Sequence, residues 1–87
     1  MNEYHVTLYV SKDCEDCDKA KRLLRDKGIS FEEKNIQDPG ARGELKYKTG
    51  RAQCPSIDVD GRFFCGLGKI ERAEKIITKH VHDISMS

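Results

Sequence analysis

Val6, Leu8 and Val10 alternate with Thr7 and Tyr9, the period-two pattern of a strand within the apolar stretch Tyr4–Val10. Ser11-Lys12-Asp13 reads as a loop that leads to a helix cap. Cys17, Ala20 and Leu24 then recur at helical spacing, with Leu23 beside them, which predicts a helix over Asp13–Lys27 that Gly28 ends. Phe31–Ile36 is a second short strand, and its charged middle, Glu32-Glu33-Lys34, suits a sheet edge. Asp38-Pro39 starts a second helix, with Asp as cap and Pro at the first position. Gly40 and Gly43 weaken that helix, which runs to about Lys48 before Gly50 closes it. Ser56–Asp60 is a strand in which Ile57 and Val59 alternate with polar residues, Asp60-Gly61 is a hairpin turn, and Arg62–Cys65 is the return strand. Gly66 and Gly68 break it. Ile70, Ala73, Ile76, Ile77 and Val81 mark a last amphipathic helix, and His82–Ser87 reads as a frayed tail.

The order β-α-β-α-β-β-α combines a parallel crossover with a hairpin. It predicts an α/β fold: a mixed four-stranded sheet with helices on both faces. Eighty-seven residues, with no repeat and no linker, make a single domain over 1–87. Hydrophobic residues at 37% and charged residues at 36% allow a modest core under a heavily charged surface. Sixteen basic and fifteen acidic residues interleave to a net charge of +1, which points away from nucleic acid as a partner. No apolar run approaches the roughly 18 residues that span a membrane. The first residues show no basic segment followed by an apolar one, so no secretion signal is expected. Four cysteines in that setting predict a reducing compartment, the cytoplasm, and chemistry rather than structural disulfides.

Cys14-Glu15-Asp16-Cys17 follows the first strand and opens the first helix. Residues three apart on a helix share a face, so one thiol stays open to solvent while the other sits a turn deeper. A helix start carries partial positive charge and free N–H groups, which favour a thiolate there. The expected chemistry is exchange. Cys14 attacks a substrate disulfide, and Cys17 then attacks Cys14 and releases the reduced product. The bland alternative makes the pair packing residues or half of a zinc site, but a lone C-x-x-C is only half a zinc-ligand set. Asp13, Glu15, Asp16 and Asp18 crowd the nucleophile. Each carboxylate about 6 Å away raises the thiolate energy by roughly 0.7 kcal/mol in water, against about 0.3–1 kcal/mol returned by the helix terminus. Lys12, Lys19 and Lys21 offset part of the remainder, and the expectation is a more reducing couple, the alternative being that these acids only cap the helix.

The element order, the C-x-x-C at the first helix start and a Pro just before the third strand together resemble the glutaredoxin family of the thioredoxin fold. Three stretches carry the resemblance: Tyr9-Val10-Ser11-Lys12-Asp13-Cys14-Glu15-Asp16-Cys17, Gln53-Cys54-Pro55-Ser56-Ile57-Asp58-Val59-Asp60-Gly61 and Phe64-Cys65-Gly66. It covers about Tyr4 to His80. It implies a thioredoxin-like three-layer sandwich and a small electron carrier that reduces disulfides. It also implies that Pro55 has a cis peptide bond and packs against the dithiol, and that the main chain of Cys54 offers a short strand to substrate. The chain departs from the family in having Glu-Asp between the cysteines instead of Pro-Tyr, and Gln-Cys before the Pro instead of Thr-Val. Cys65-Gly66 stands for the family's Gly-Gly turn. The following Asp, which helps hold glutathione, falls near Gly68, and the basic residue three before the first Cys is Ser11. These departures predict weak glutathione binding. In size and dithiol the chain is also similar to the redoxins that serve ribonucleotide reductase, although it lacks their Trp-Ser-Gly turn.

The expected partners are a disulfide-bearing protein or low-molecular-weight thiol, and an electron donor that is either thioredoxin reductase or glutathione. The expected state is a monomer without metal or cofactor. Candidate substrate-binding residues are Lys12, Arg51, Cys54, Pro55 and Gly66. Lys12 and Arg51 would form, with Lys48, a cationic rim for a carboxylate, the alternative being ordinary solvated charge. Cys54 and Cys65 admit three readings: small buried hydrophobes, a regulatory disulfide, or ligands. The rival function follows from the last, a metal- or iron–sulfur-binding or redox-sensing module using Cys14, Cys17, Cys54 and Cys65. His5, His80 and His82 show no ligand spacing with the cysteines.

Overall fold

A computed structural model describes residues 4–86 of the chain, and the side chains of residues 4–78. The described residues form β1 (Val6–Val10), α1 (Glu15–Asp26), β2 (Glu32–Asn35), α2 (Pro39–Thr49), β3 (Ser56–Val59), β4 (Arg62–Cys65) and α3 (Leu67–Met86). The strands make one mixed sheet in the order β2-β1-β3-β4. β2 runs parallel to β1, while β3 is antiparallel to both β1 and β4. The charged strand β2 lies at an edge, where its polar side chains stay in water.

Every residue of β1 is buried, because both faces of the sheet are covered. Val6, Leu8 and Val10 pack with Ile57 and Val59 of the sheet, with Cys17, Ala20 and Leu24 of α1 and with Ile70, Ala73 and Ile77 of α3. Tyr9 points the other way and packs with Ala41 and Leu45 of α2, flanked by Ile36 and Phe63. The molecule is therefore a three-layer sandwich, with α1 and α3 on one face of the sheet and α2 on the other. Each fully buried Leu or Ile contributes about 1.5–3 kcal/mol, so this central strand anchors both cores.

Local chemistry sets the boundaries. Asp38 caps α2 by accepting the Gly40 N–H at 3.3 Å, with Pro39 at the first position. Asp60 and Gly61 both adopt positive φ, 51° and 92°, which a two-residue type I′ turn requires. Asp58 braces that turn by accepting the Gly61 N–H at 2.7 Å.

Two expectations are corrected. α3 begins at Leu67, so Gly66 alone breaks the chain and Gly68 lies in the first helical turn. The Ile70 N–H reaches the Gly66 carbonyl at 3.0 Å and closes that turn. The backbone is also helical through Met86, where a frayed tail from His82 was expected. Nothing stops it, because neither Gly nor Pro occurs after Gly68. Ser87 and the side chains of His80, Val81 and His82 lie outside the described residues.

Candidate active site

β1 delivers the chain to the site. After Val10 it turns sharply through Asp13, whose φ of 59° is one that Asp tolerates better than most residues. Cys14 follows with extended backbone, φ −111° and ψ 106°, and is the N-cap of α1. Its Sγ accepts the backbone N–H of Cys17 at 3.2 Å. The thiol therefore occupies the place of a capping oxygen and receives an N–H that helix geometry leaves unpaired. Cys14 is half-buried, whereas Cys17, one turn deeper, is 1% exposed within the core beneath α1. Glu15, Asp16 and Asp18 stand exposed around the same turn.

β3 supplies the other wall. The Cys54–Pro55 bond is cis, and Pro55 is fully buried. Cys54 is half-buried and packs against the same core as Cys14 and Cys17. The antiparallel register ends with Tyr9 opposite Ser56, so the loop after β1 runs beside the segment before β3. Ser11 and Cys17 lie near enough to Cys54 to oppose the rise that burial causes in its thiol. Ser56 Oγ donates to the Gln53 carbonyl at 2.6 Å and ties down the turn before the proline. Gly66 completes the wall. Its φ of 95° is open to glycine, and its N–H donates to the Pro55 carbonyl at 2.8 Å.

Burial pushes the Cys17 thiol up to about 12. The hydrogen bond with Cys14 and the charges of Cys14 and Cys54 add to this, while a backbone hydrogen bond from Ser11 opposes it. Burial also raises Cys54, helped by the charge of Cys14 and opposed by hydrogen bonds with Ser11 and Cys17. Cys17 is thus a buried thiol beneath the half-buried Cys14.

Cys14, Cys17, Cys54, Pro55 and Gly66 come together at one end of the sheet. Lys12 and Arg51 are exposed in the two loops that lead into it. Lys48 instead lies over the Tyr47 ring at 6.0 Å. Cys65 does not join the cluster. It pairs with Ser56, so it shares the sheet face of Tyr9 and Phe63, whereas Ile57 and Phe64 point toward α1 and α3. The four-cysteine ligand set therefore finds no support: among the described residues, no three His, Cys, Asp or Glu side chains are grouped to hold a metal. His5 lies 3.9 Å from Glu32, away from the thiols.

Ser11 is the site residue that sequence reasoning missed. It lacks a positive charge, yet it opposes the rise that burial causes in both Cys17 and Cys54.

A glutaredoxin family model matches residues 6–64 of this chain. Glutaredoxin 3 of Escherichia coli (strain K12) is 36% identical over 63 residues, which cover 71% of this chain and 76% of that protein. An uncharacterised glutaredoxin-like 8.6 kDa protein from the rubredoxin operon of Clostridium pasteurianum is 31% identical over 75 residues, covering 85% of this chain and 99% of its own. Among solved structures, the thioredoxin-like protein BC3987 superposes with a TM-score of 0.74 at 27% identity, covering 80% of this chain and 96% of that one. A buckwheat glutaredoxin solved in complex with glutathione superposes at 0.69 with 15% identity, over 85% of this chain and 71% of its own, a likeness of fold. The family model spans both cysteines of the C-x-x-C and the cis-proline turn, and the chain belongs to the glutaredoxin family of thiol–disulfide oxidoreductases.

Proposed function

We propose that this chain reduces disulfides by a two-thiol mechanism and acts as a small electron carrier. Cys14, as thiolate, attacks one sulfur of a substrate disulfide. A Cys14–substrate disulfide forms, and the other substrate sulfur leaves with the electron pair and takes up a proton. Cys17 then attacks Cys14 Sγ, the second substrate thiol leaves, and the protein holds a Cys14–Cys17 disulfide. An external donor returns two electrons and resets the pair. The observation that carries this reading is the cap: Cys14 Sγ receives the Cys17 N–H at 3.2 Å, with the Cys17 thiol buried directly beneath. Substrate lies along the Cys54 main chain between Pro55 and Gly66, and Lys12 and Arg51 meet its charged groups.

The chain works as one domain over 1–87 and as a monomer in the cytoplasm. No helix among the described residues is long and apolar enough to cross a membrane. Substrates are disulfide-bearing proteins or low-molecular-weight disulfides. Glutaredoxins generally use glutathione, but this chain has Ser11 and Gly68 where the family places groups that hold it, so glutathione binds weakly.

Two coupled assays test the reading: NADPH oxidation with thioredoxin reductase, and NADPH oxidation with glutathione and glutathione reductase. Turnover with a disulfide substrate in at least one arm, lost in Cys14→Ser, is expected. Full turnover in Cys14→Ser would refute it. Saturable, tight glutathione binding along Cys54 and Gly66, followed by amide shifts, would refute the weak-binding clause.

A further inference from the structure

Three cysteines border this site. Cys14 and Cys54 both pack, half-buried, against the core that contains Cys17. The β1–β3 register brings the segment after β1 alongside the segment before β3. Cys54 lies in that segment and is joined by a cis bond to Pro55, which is fully buried. Cys54 is also near enough to Cys14 for the two charges to interact. We propose that Cys54 is a second resolving thiol, which attacks the Cys14–substrate disulfide in competition with Cys17.

The proposal rests on Cys14 being the nucleophile. In the step, a bond forms between Cys54 Sγ and Cys14 Sγ while the bond from Cys14 to the substrate sulfur breaks. The electron pair leaves on the substrate sulfur, which takes up the proton that Cys54 gives up. Cys54 is oxidised together with Cys14, and the substrate is reduced by two electrons in total. The product is a Cys14–Cys54 disulfide. Cys17 can then attack Cys14 in turn, expel Cys54 as a thiol and give the Cys14–Cys17 disulfide, so the two routes converge.

Burial gives the second route its purpose. Cys17 is 1% exposed, and with a pKa of about 12 its thiolate share at pH 7 is on the order of 10⁻⁵. Cys54 keeps more contact with solvent, and although burial raises its thiol as well, Ser11 opposes that rise. Cys54 also lies on the wall where the substrate sits, so it meets the mixed disulfide as it forms. Cys65, on the opposite sheet face, takes no part.

The test uses full-length Cys17→Ser protein and hydroxyethyl disulfide as the probe, with peptide mapping by mass spectrometry and quantification of released mercaptoethanol. Cys17→Ser should release two thiols per chain and end as a Cys14–Cys54 disulfide, at a rate independent of protein concentration. Cys17→Ser/Cys54→Ala should release one thiol and stop at the Cys14 adduct. Cys17→Ser/Cys54→Ser, which keeps a hydroxyl for Ser11 to pair with, should behave the same way. A stable Cys14 adduct in Cys17→Ser with Cys54 still free overturns the proposal while leaving the nucleophile assignment intact. A rate that scales with protein concentration also overturns it. Failure of Cys14 to form any adduct removes the nucleophile assignment, and the proposal with it.

Discussion

Cys17 donates its backbone N–H to Cys14 Sγ at 3.2 Å, so the helix cap and the proposed nucleophile are one atom. Capping and reactivity can be separated by substitution. Serine is a preferred N-cap, whereas replacing a capping side chain by alanine costs about 0.5–2 kcal/mol. Cys14→Ser is therefore expected to lose disulfide reduction and keep the wild-type urea midpoint or exceed it. Cys14→Ala is expected to lose activity and stability together. If the alanine variant is as stable as the serine variant, the contact does not cap the helix.

The depth of Cys17 predicts a steep pH dependence for resolution. With a thiol pushed up to about 12 by burial, the reactive thiolate increases about tenfold per pH unit throughout the neutral range. Release of substrate thiol from a preformed Cys14 adduct should follow that slope from pH 6 to 9. The measurement belongs in Cys54→Ala protein, where Cys17 is the remaining resolving thiol. Stopped-flow release that levels off near pH 7 would show that Cys17 loses its proton far more easily than its burial allows.

Glu15, Asp16 and Asp18 are the acids in the first turn of α1, where each stabilises the helix by about 0.3–1 kcal/mol at low salt. Glu15→Gln/Asp16→Asn should therefore lower the thermal midpoint, by an amount that shrinks as salt is raised. Thermal melts of the two proteins at two ionic strengths measure it, and an unchanged or raised midpoint in the variant at low salt would contradict the account.

Most of the fold was legible because its signals are local. The alternation in β1, the Asp38-Pro39 cap, the Asp60-Gly61 turn and the charged edge β2 each follow from a few neighbouring residues. The extent of α3 was less legible, because Gly68 carries helix-breaking propensity that the packing of Ile70, Ala73 and Ile77 overrides. The C-x-x-C could be read from its spacing. The partnership of Ser11 with Cys54 could not, because it depends on how β1 and β3 align across more than forty residues of chain. The separation of Cys65 from the other thiols has the same origin. Its side-chain direction follows from its pairing with Ser56, and a one-residue slip would have turned it toward α3.

The α2 face contains a second polar linkage that makes its own prediction. Tyr9, fully buried, donates its hydroxyl to Glu44 Oε1, and Lys34 Nζ lies 3.4 Å from the same oxygen and 6.0 Å above the Tyr9 ring. Burial first, then the hydrogen bond and charge of Glu44, hold the Tyr9 phenol well above its usual range. The hydrogen bond from Tyr9 holds the Glu44 carboxyl below its own range, with Lys34 assisting and slight burial opposing. A phenol with a raised folded pKa contributes its full stability below the unfolded value, about 10, and loses it as pH climbs from there toward the folded value. A carboxyl with a depressed folded pKa contributes above its unfolded value, about 4.3, and loses that as pH falls through the folded one. Tyr9→Phe should therefore cost about 1 kcal/mol at neutral pH, because exposed Glu44 regains water in place of the lost bond. It should also remove most of the alkaline destabilisation above about pH 10 and soften the acid limb. Urea titrations of wild type and Tyr9→Phe at pH 4, 7 and 10.5 measure all three effects. Equal loss of stability by the two proteins between pH 7 and 10.5 would show that Tyr9 does not govern the alkaline limb.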